Sequence, residues 1–275
     1  MPELPEVETI RRQLEREVRG RRIRSVQVRF AGRLNVSVKS FGKTVAGAVI
    51  DGIGRRAKLL LIGLSNGWTM VVHLKMTGRF LLVAPTARPT KHTHVVFHLS
   101  GGKDLFFEDV RKFGFIKLVR TDELDEKIIR KEGYGPEPLE PGFTADRFAA
   151  CLMRFKNKRI KPTLMDQTCV AGVGNIYADE ALWRSRIKPD RRAGTLEERE
   201  IKELHRSLLG SLKESIRERG TSADAYLDLY GRPGTYVKRL KAYGREGEPC
   251  SRCGRRLVRV RLAGRSAHYC PKCQH

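Results

Sequence analysis

Apolar and polar positions along the chain follow two periods, and the changes of period divide it. Val7, Ile10, Leu14 and Val18 recur at spacings of three, four and four, which predicts an amphipathic helix over residues 4 to 18 with Pro5 in its first turn. Residues 22 to 120 alternate instead at period two. The stretches "RIRSVQVRF", "KLLLIGL", "WTMVVHL", "RFLLVA", "HVVFHLS", "KDLFFEDV" and "FGFIKLV" are separated by Gly, Asn and Pro turns, the pattern of an antiparallel sandwich of short strands. "GYGPEPLEPG" at 133–142 reads as a linker. Helical periodicity returns over 144 to 220, in "ADRFAACLMRF", "YADEALWRSRI" and "LEEREIKELHRSLLGSLKESIRER". The segment 241–275 carries too little apolar sequence to build a core unaided.

Composition narrows the class. With 40% hydrophobic and 31% charged residues in 275, the chain is that of a folded protein with room for two domains. No apolar run is long enough to span a membrane, and the acidic start lacks the basic and apolar regions of a signal peptide, so the expected location is the cytosol. Lys and Arg number 55 against 31 Asp and Glu, spread along the whole chain. Such a balance points to a polyanionic partner, nucleic acid ahead of ribosomal or anionic-lipid surfaces.

The six cysteines fall into two groups. Cys151 and Cys169 are isolated in apolar contexts and read as buried core thiols. "CSRC" and "CPKC" place Cys250, Cys253, Cys270 and Cys273 as C-x2-C-x16-C-x2-C, which predicts one zinc ion held by a hairpin folded back on itself. Four thiolates leave no open position for a catalytic water, so the ion is structural.

Several stretches could carry chemistry. The opening "MPELPEVETI" puts Glu3, Glu6 and Glu8 on a basic protein; as a helix start, Glu6 and Glu8 complement the positive helix end, while Pro2 and Glu3 lie just before it. In "QTCVAGVGNIYADEALW", Gly172 and Gly174 free a tight turn and Asn175 is expected to cap a helix beginning at Ile176, presenting N–H groups to an anion. Taken alone this is a plain capped helix. The basic run "RFKNKRIK" upstream, with Lys156, Lys158 and Lys161, favours a DNA-strand clamp. "GRRAKLLL" sets Lys58 at the head of an apolar strand. "HLKMTGRF" and "EDVRKFGF" place Met76 and Phe113 in polar turns next to cations; each alone fits a core, but a protein that extracts a base needs an apolar wedge and a guanidinium such as Arg111 for the orphaned partner.

The blocks "MPELPEVET", "GRRAKLLL", "HLKMTGRF", "KHTHVVF", "DVRKFG", "GPEPL", "VAGVGNIYADEALW", "YGREGEPCSRCG" and "GRSAHYCPKCQ" run in register along essentially the whole chain. In this it resembles the bacterial formamidopyrimidine-DNA glycosylase family. The resemblance implies an α+β fold: an antiparallel β-sandwich with an N-terminal helix (1–132), the linker (133–142), a helical DNA-binding domain with a helix-two-turns-helix and a lesion-capping loop (143–240), and a zinc-finger hairpin (241–275). It implies a monomeric cytoplasmic, nucleoid-associated bacterial enzyme that removes oxidised purines from double-stranded DNA and also cleaves abasic sites, with zinc as its one structural ion and no membrane partner.

The resemblance also implies roles. The secondary amine of Pro2, exposed once Met1 is removed, attacks C1′ of the damaged nucleotide. An α-amine with a pKa of about 7.7 to 8.0, against about 10.4 for lysine, leaves far more free base near neutrality. Glu3 serves proton transfer at O4′ and C2′, and Glu6 supports the N-terminus. Lys58 touches phosphate beside the lesion, Arg265 on the zinc hairpin holds the phosphate of the second elimination, and His92, Lys156, Lys161 and Asn175 contact DNA. Met76, Arg111 and Phe113 fill the space of the extruded base. The lesion-capping stretch "RGTSADAYLDLYGRPGTYVKRL" departs from the family pattern at Arg219, where a second glycine is usual, and at Tyr230, which puts lesion preference in doubt. Two rivals remain at this point: the endonuclease VIII branch, which prefers oxidised pyrimidines and starts with glycine where this chain has Leu4, and a catalytically silent zinc-containing DNA-binding protein.

Overall fold

The computed structural model describes every residue but Asp224 and separates into two compact units, Met1–Lys131 with Glu218–Thr235, and Glu132–Arg217 with Tyr236–His275. In the first, helix α1 (Leu4–Val18) spans the predicted residues and buries Val7, Ile10, Leu14 and Val18. Strands β1 (Ile23–Val28), β2 (Ile50–Arg56), β3 (Leu59–Leu64), β4 (Trp68–His73), β5 (Gly78–Val83), β6 (Thr93–Leu99), β7 (Lys103–Asp109) and β8 (Phe115–Arg120) form two four-stranded antiparallel sheets, ordered β1-β6-β7-β5 and β2-β3-β4-β8. Ile62, Val72, Phe80, Val95, Phe97 and Phe107 are among the side chains closing the core between them. A short helix α2 (Val38–Val45) lies where period two predicted only strand and turn; Ser37 caps it and Phe41 and Val45, four apart, are its buried face.

The second unit contains α3 (Ala145–Arg154), α4 (Ile160–Met165), α5 (Asn175–Arg184) and α6 (Glu198–Arg217), followed by the hairpin β9 (Val258–Leu262) and β10 (Arg265–Tyr269). Among the described residues no helix is long and apolar enough to cross a membrane.

Four expectations need correction. The segment 218–235, read as part of the helical domain, belongs to the first unit: Tyr226 and Leu229 join its core, and the Leu82 N–H donates to the Leu229 carbonyl at 2.9 Å. Residues 133–142 are packed in place, with the Gly135 N–H on the Gln167 carbonyl at 2.8 Å and the Ala171 N–H on the Pro136 carbonyl at 3.1 Å. Cys151 and Cys169 are buried as expected but paired as a disulfide, with Cα atoms 5.4 Å apart; a separation of 18 residues concealed the pairing. Gly174, not Asn175, is the N-cap of α5, because the Asn175 side chain turns away to donate to Ser266 Oγ at 3.2 Å.

Candidate functional site

The N-terminus of the first unit is held by carboxylates. Glu3 is the N-cap of α1 and forms a capping box with Glu6. Glu6, 1% exposed, accepts the Glu3 N–H on Oε2 and the Thr221 N–H on Oε1, both at 2.8 Å. One side chain thus fixes the residues beside Pro2 and the base of the 218–235 segment. Gly220 passes so close that a Cβ there would lie 3.0 Å from Glu6 Cγ, in a backbone at φ +88°. Pro2 and Glu3 are both buried.

Lys58 occupies the β2–β3 turn and is 8% exposed. The strand leading to it is tied to α1: Arg55 Nε bonds Glu8 Oε2 at 3.1 Å, and the Ile53 N–H donates to Glu15 at 2.9 Å. Burial would push the Glu8 carboxyl up, but hydrogen bonds from Arg11 and Arg12 and the charges of Arg11 and Arg55 hold it below the usual carboxylate range. His73, at the end of β4, accepts the Lys75 N–H on Nδ1 at 2.9 Å. Burial first, then the charges of Lys75 and Lys58, push its imidazole down to about 3.

The turns bearing Met76, Arg111 and Phe113 converge on Asp109, a residue the sequence reading passed over. Its Oδ1 accepts the Thr77 hydroxyl and the Arg111 N–H (3.1 Å), its Oδ2 accepts the Gly114 N–H at 2.6 Å, and its own N–H reaches the His92 carbonyl at 3.0 Å. The available signal was an aspartate two residues before an exposed turn, the usual place for a side chain that bonds backbone N–H groups ahead of it. Phe113 is 44% exposed with the Arg111 guanidinium 4.8 Å from its ring centre, and Met76 is half-buried, so neither is a plain core residue. Ala57 (φ +51°), Lys75 (φ +53°) and Lys112 (φ +57°) immediately precede Lys58, Met76 and Phe113. Each of the three turns therefore places a side-chain-bearing residue in the left-handed region just before the residue that the sequence singled out, a strained conformation kept where position matters.

In the second unit, Gly172 (φ +83°) turns the chain into α5. Asp179 and Glu180 on α5, wholly buried, are the residues sequence reasoning missed here. Asp179 pairs with Lys161 Nζ at 2.6 Å and accepts both the N–H and Nδ1 of His268 at 3.0 Å. Lys161, expected as a DNA contact, is 1% exposed and also donates to the Ser266 carbonyl; the structure uses it to seat β10. Glu180 accepts the N–H groups of Lys241, Ala242 and Tyr243 at 3.0, 2.8 and 3.0 Å. Burial pushes its carboxyl up against the pull of those donors. Lys156 and Arg265 are exposed.

The four cysteine sulfurs lie within 4.8 Å of one another, Cys253 and Cys270 at 3.6 Å. A tetrahedral ion with bonds of about 2.3 Å to sulfur requires sulfurs a little under about 4 Å apart, so the set fits zinc. Trp183, Ala242 and Leu257 pack against Cys250 and Cys270, and Arg252 lies 3.9 Å over the Trp183 ring, donating to the Trp183 and Arg184 carbonyls at the end of α5.

Family models match along the chain: the formamidopyrimidine-DNA glycosylase N-terminal domain over residues 1–116, its H2TH domain over 134–226, and the zinc finger found in FPG and IleRS over 247–275. The formamidopyrimidine-DNA glycosylase of Pelotomaculum thermopropionicum is 48% identical over 275 residues, covering 100% of this chain and 99% of its own. A variant of the Lactococcus lactis Fpg in complex with Fapy-dG containing DNA aligns over 100% of both chains with a TM-score of 0.93 at 37% identity. The Lactococcus lactis Fpg with abasic-site DNA aligns over 99% of both with the same score and identity. A two-sheet unit, a helix-two-turns-helix unit and a zinc hairpin define a DNA glycosylase of base excision repair. The chain belongs to the formamidopyrimidine-DNA glycosylase family. Its four cysteines hold one structural zinc ion.

Proposed function

We propose that this chain excises oxidised purines, 8-oxoguanine and formamidopyrimidines, from duplex DNA and then cleaves the strand at the resulting abasic site. After removal of Met1, the Pro2 nitrogen attacks C1′, the glycosidic bond breaks and the base departs. Glu3 delivers the proton that opens the sugar ring at O4′. The product is an iminium between Pro2 and C1′, positively charged without protonation, which draws electrons as the proton at C2′ is removed and the 3′ phosphate leaves; a second elimination expels the 5′ phosphate. Lys58 and Arg265 hold these phosphates as they leave. Lys156, Asn175 and His92 position the strand, while Met76, Arg111 and Phe113 occupy the vacated stack. Lys161 acts through β10 rather than by touching DNA.

The observation carrying this reading is the Glu6 carboxylate, which fixes the Glu3 and Thr221 backbones at 2.8 Å each and holds the start of the chain beside its proton donor. Nucleoid association in a bacterial cytoplasm accords with it. Borohydride reduction on a duplex containing one 8-oxoguanine opposite cytosine should freeze a covalent complex that maps to Pro2. A crosslink at Lys58, or an active enzyme that gives none, would overturn the assignment.

A further inference from the structure

Beyond the residues assigned above, the zinc hairpin carries two arginines with no role. In the antiparallel register of β9 and β10, Arg261 lies opposite Ser266 and Arg259 opposite His268, whereas Arg265 lies opposite Leu262. Residues directly opposite one another project to the same face, and alternate residues to the other. Arg259 and Arg261 therefore share a face with Ser266 and His268, and Arg265 belongs to the other. The shared face is where the hairpin meets the glycine turn and α5: Ser266 Oγ accepts the Asn175 amide at 3.2 Å, and His268 bonds Asp179 at 3.0 Å. An open concavity of about 430 Å³ is lined by Arg259, Val260, Arg261, Gly264 and Ser266.

The charges in this concavity are available. Arg259 and Arg261 are exposed. Arg261 makes no ion pair among the described residues, and Arg259 has only a loose one to Glu246 at 3.4 Å, with both side chains at least half exposed, a contact worth little in water. Among the described residues the one acid paired with either arginine is this exposed Glu246, so the site offers two guanidinium forks. Guanidinium groups of this kind match phosphate oxygens in pairs.

We infer that Arg259 and Arg261 form a second phosphate-binding element on the zinc hairpin, taking phosphodiesters of the duplex other than the one at Arg265. The element is indifferent to the damaged base, since phosphates carry no sequence information. It lengthens the footprint on undamaged as well as damaged DNA and so supports the search that precedes excision. The inference rests on the glycosylase reading for its ligand but not on the Pro2 chemistry.

The test is the salt dependence of binding to two duplexes of equal length, one undamaged and one with a reduced abasic analogue. Each released counterion contributes about one to the slope of log affinity against log salt. Arg261→Ala should lower the slope by about one and the Arg259→Ala, Arg261→Ala pair by about two, on both duplexes alike, while Arg261→Lys keeps the parental slope. An unchanged slope in the double variant overturns the inference. So does an equal loss in Arg261→Lys, which would mark Arg261 as a packing residue, and so does a loss confined to the damaged duplex. Borohydride trapping with the parent chain is the separate readout: absence of a Pro2 adduct sinks the catalytic reading and leaves the slopes to decide this one.

Discussion

In the first unit the residues with chemical expectations stand on turns whose backbones are held by carboxylates, Glu6 for the N-terminus and Asp109 for the turns of Arg111 and Gly114. In the second unit the hairpin bearing Arg265 is seated by a buried ion pair, Lys161 with Asp179, and by zinc. Carboxylates that accept backbone N–H groups fix single turns to within a hydrogen bond, which suits the centre proposed above, where one amine must reach one carbon. A buried ion pair between secondary elements fixes a whole module, which suits a surface that takes a strand by its phosphates. The two devices also fail differently. A lost backbone acceptor leaves neutral donors that water can partly satisfy, whereas a lost partner leaves a charge in the interior.

That difference sets the largest expected effect. Asp179→Ala takes the carboxylate away from the Lys161 ammonium, 1% exposed, and should lower stability by about 3 to 5 kcal/mol, together with loss of zinc from the hairpin. Asp109→Ala leaves the Arg111 N–H its second acceptor, the Thr77 hydroxyl at 3.0 Å, and orphans mainly the Gly114 N–H, so the loss should be about 1 to 3 kcal/mol with zinc retained. Chemical denaturation with parallel metal analysis reads both. If the two substitutions proved equal in effect, or if Asp109→Ala released zinc, the contrast between the units would be wrong.

How far this was legible in the sequence follows the same line. Period alone carried α1, because four apolar residues at helical spacing have one place to go, and it carried the alternating strands of the sandwich. It missed β2, where Gly52 and Gly54 interrupt the apolar face, and α2, which is too short to show more than one turn of pattern. The four cysteines were legible because metal geometry demands their spacing. Asp109, Asp179 and Glu180 were not, since a buried carboxylate and a solvated one look alike until the donors around it are known. Lys161 erred in the other direction: a lysine in a basic run reads as surface, and only its contact with an aspartate from α5 shows it to be interior. The placement of 218–235 also depended on contacts distant in sequence, those of Gln13 with Asp228 and Leu229.

A smaller effect concerns His73, beside the Lys58 turn. Its imidazole is pushed down to about 3 in the folded chain by burial and by Lys75 and Lys58, against about 6.5 unfolded. Between those values the unfolded chain binds a proton that the folded chain refuses. Its contribution is therefore fully present above about pH 6.5 and is lost as pH falls toward 3, by at most about 1.4 kcal/mol per unit. His73→Asn keeps an acceptor for the Lys75 N–H and does not titrate. The difference in stability between parent and variant should slope with pH between about 6.5 and 5, a window in which the Glu180 contribution is common to both and cancels. Parallel curves would show that His73 is not held neutral.

The smallest effect tests the strained turns against the same comparison. Arg219 sits at φ +61° and opens the segment that Glu6 holds through Thr221. A left-handed conformation costs a side-chain-bearing residue about 1 to 2 kcal/mol, and glycine avoids this while losing more chain entropy on folding, about 0.5 to 1 kcal/mol. Arg219→Gly should therefore be more stable than Arg219→Ala by roughly 0.5 to 1 kcal/mol. Both variants lack the guanidinium, so the contrast between them isolates the backbone from the charge that Arg219 presents to the Tyr226 hydroxyl. Tyr230 should be indifferent to the change, because its hydroxyl is held from α1 by Arg16 and Glu17 rather than from Arg219. Thermal denaturation of the three chains decides it: alanine equal to glycine would mean that the turn is unstrained, and that the segment owes its place to its core packing and its Glu6, Gln13 and Leu82 contacts.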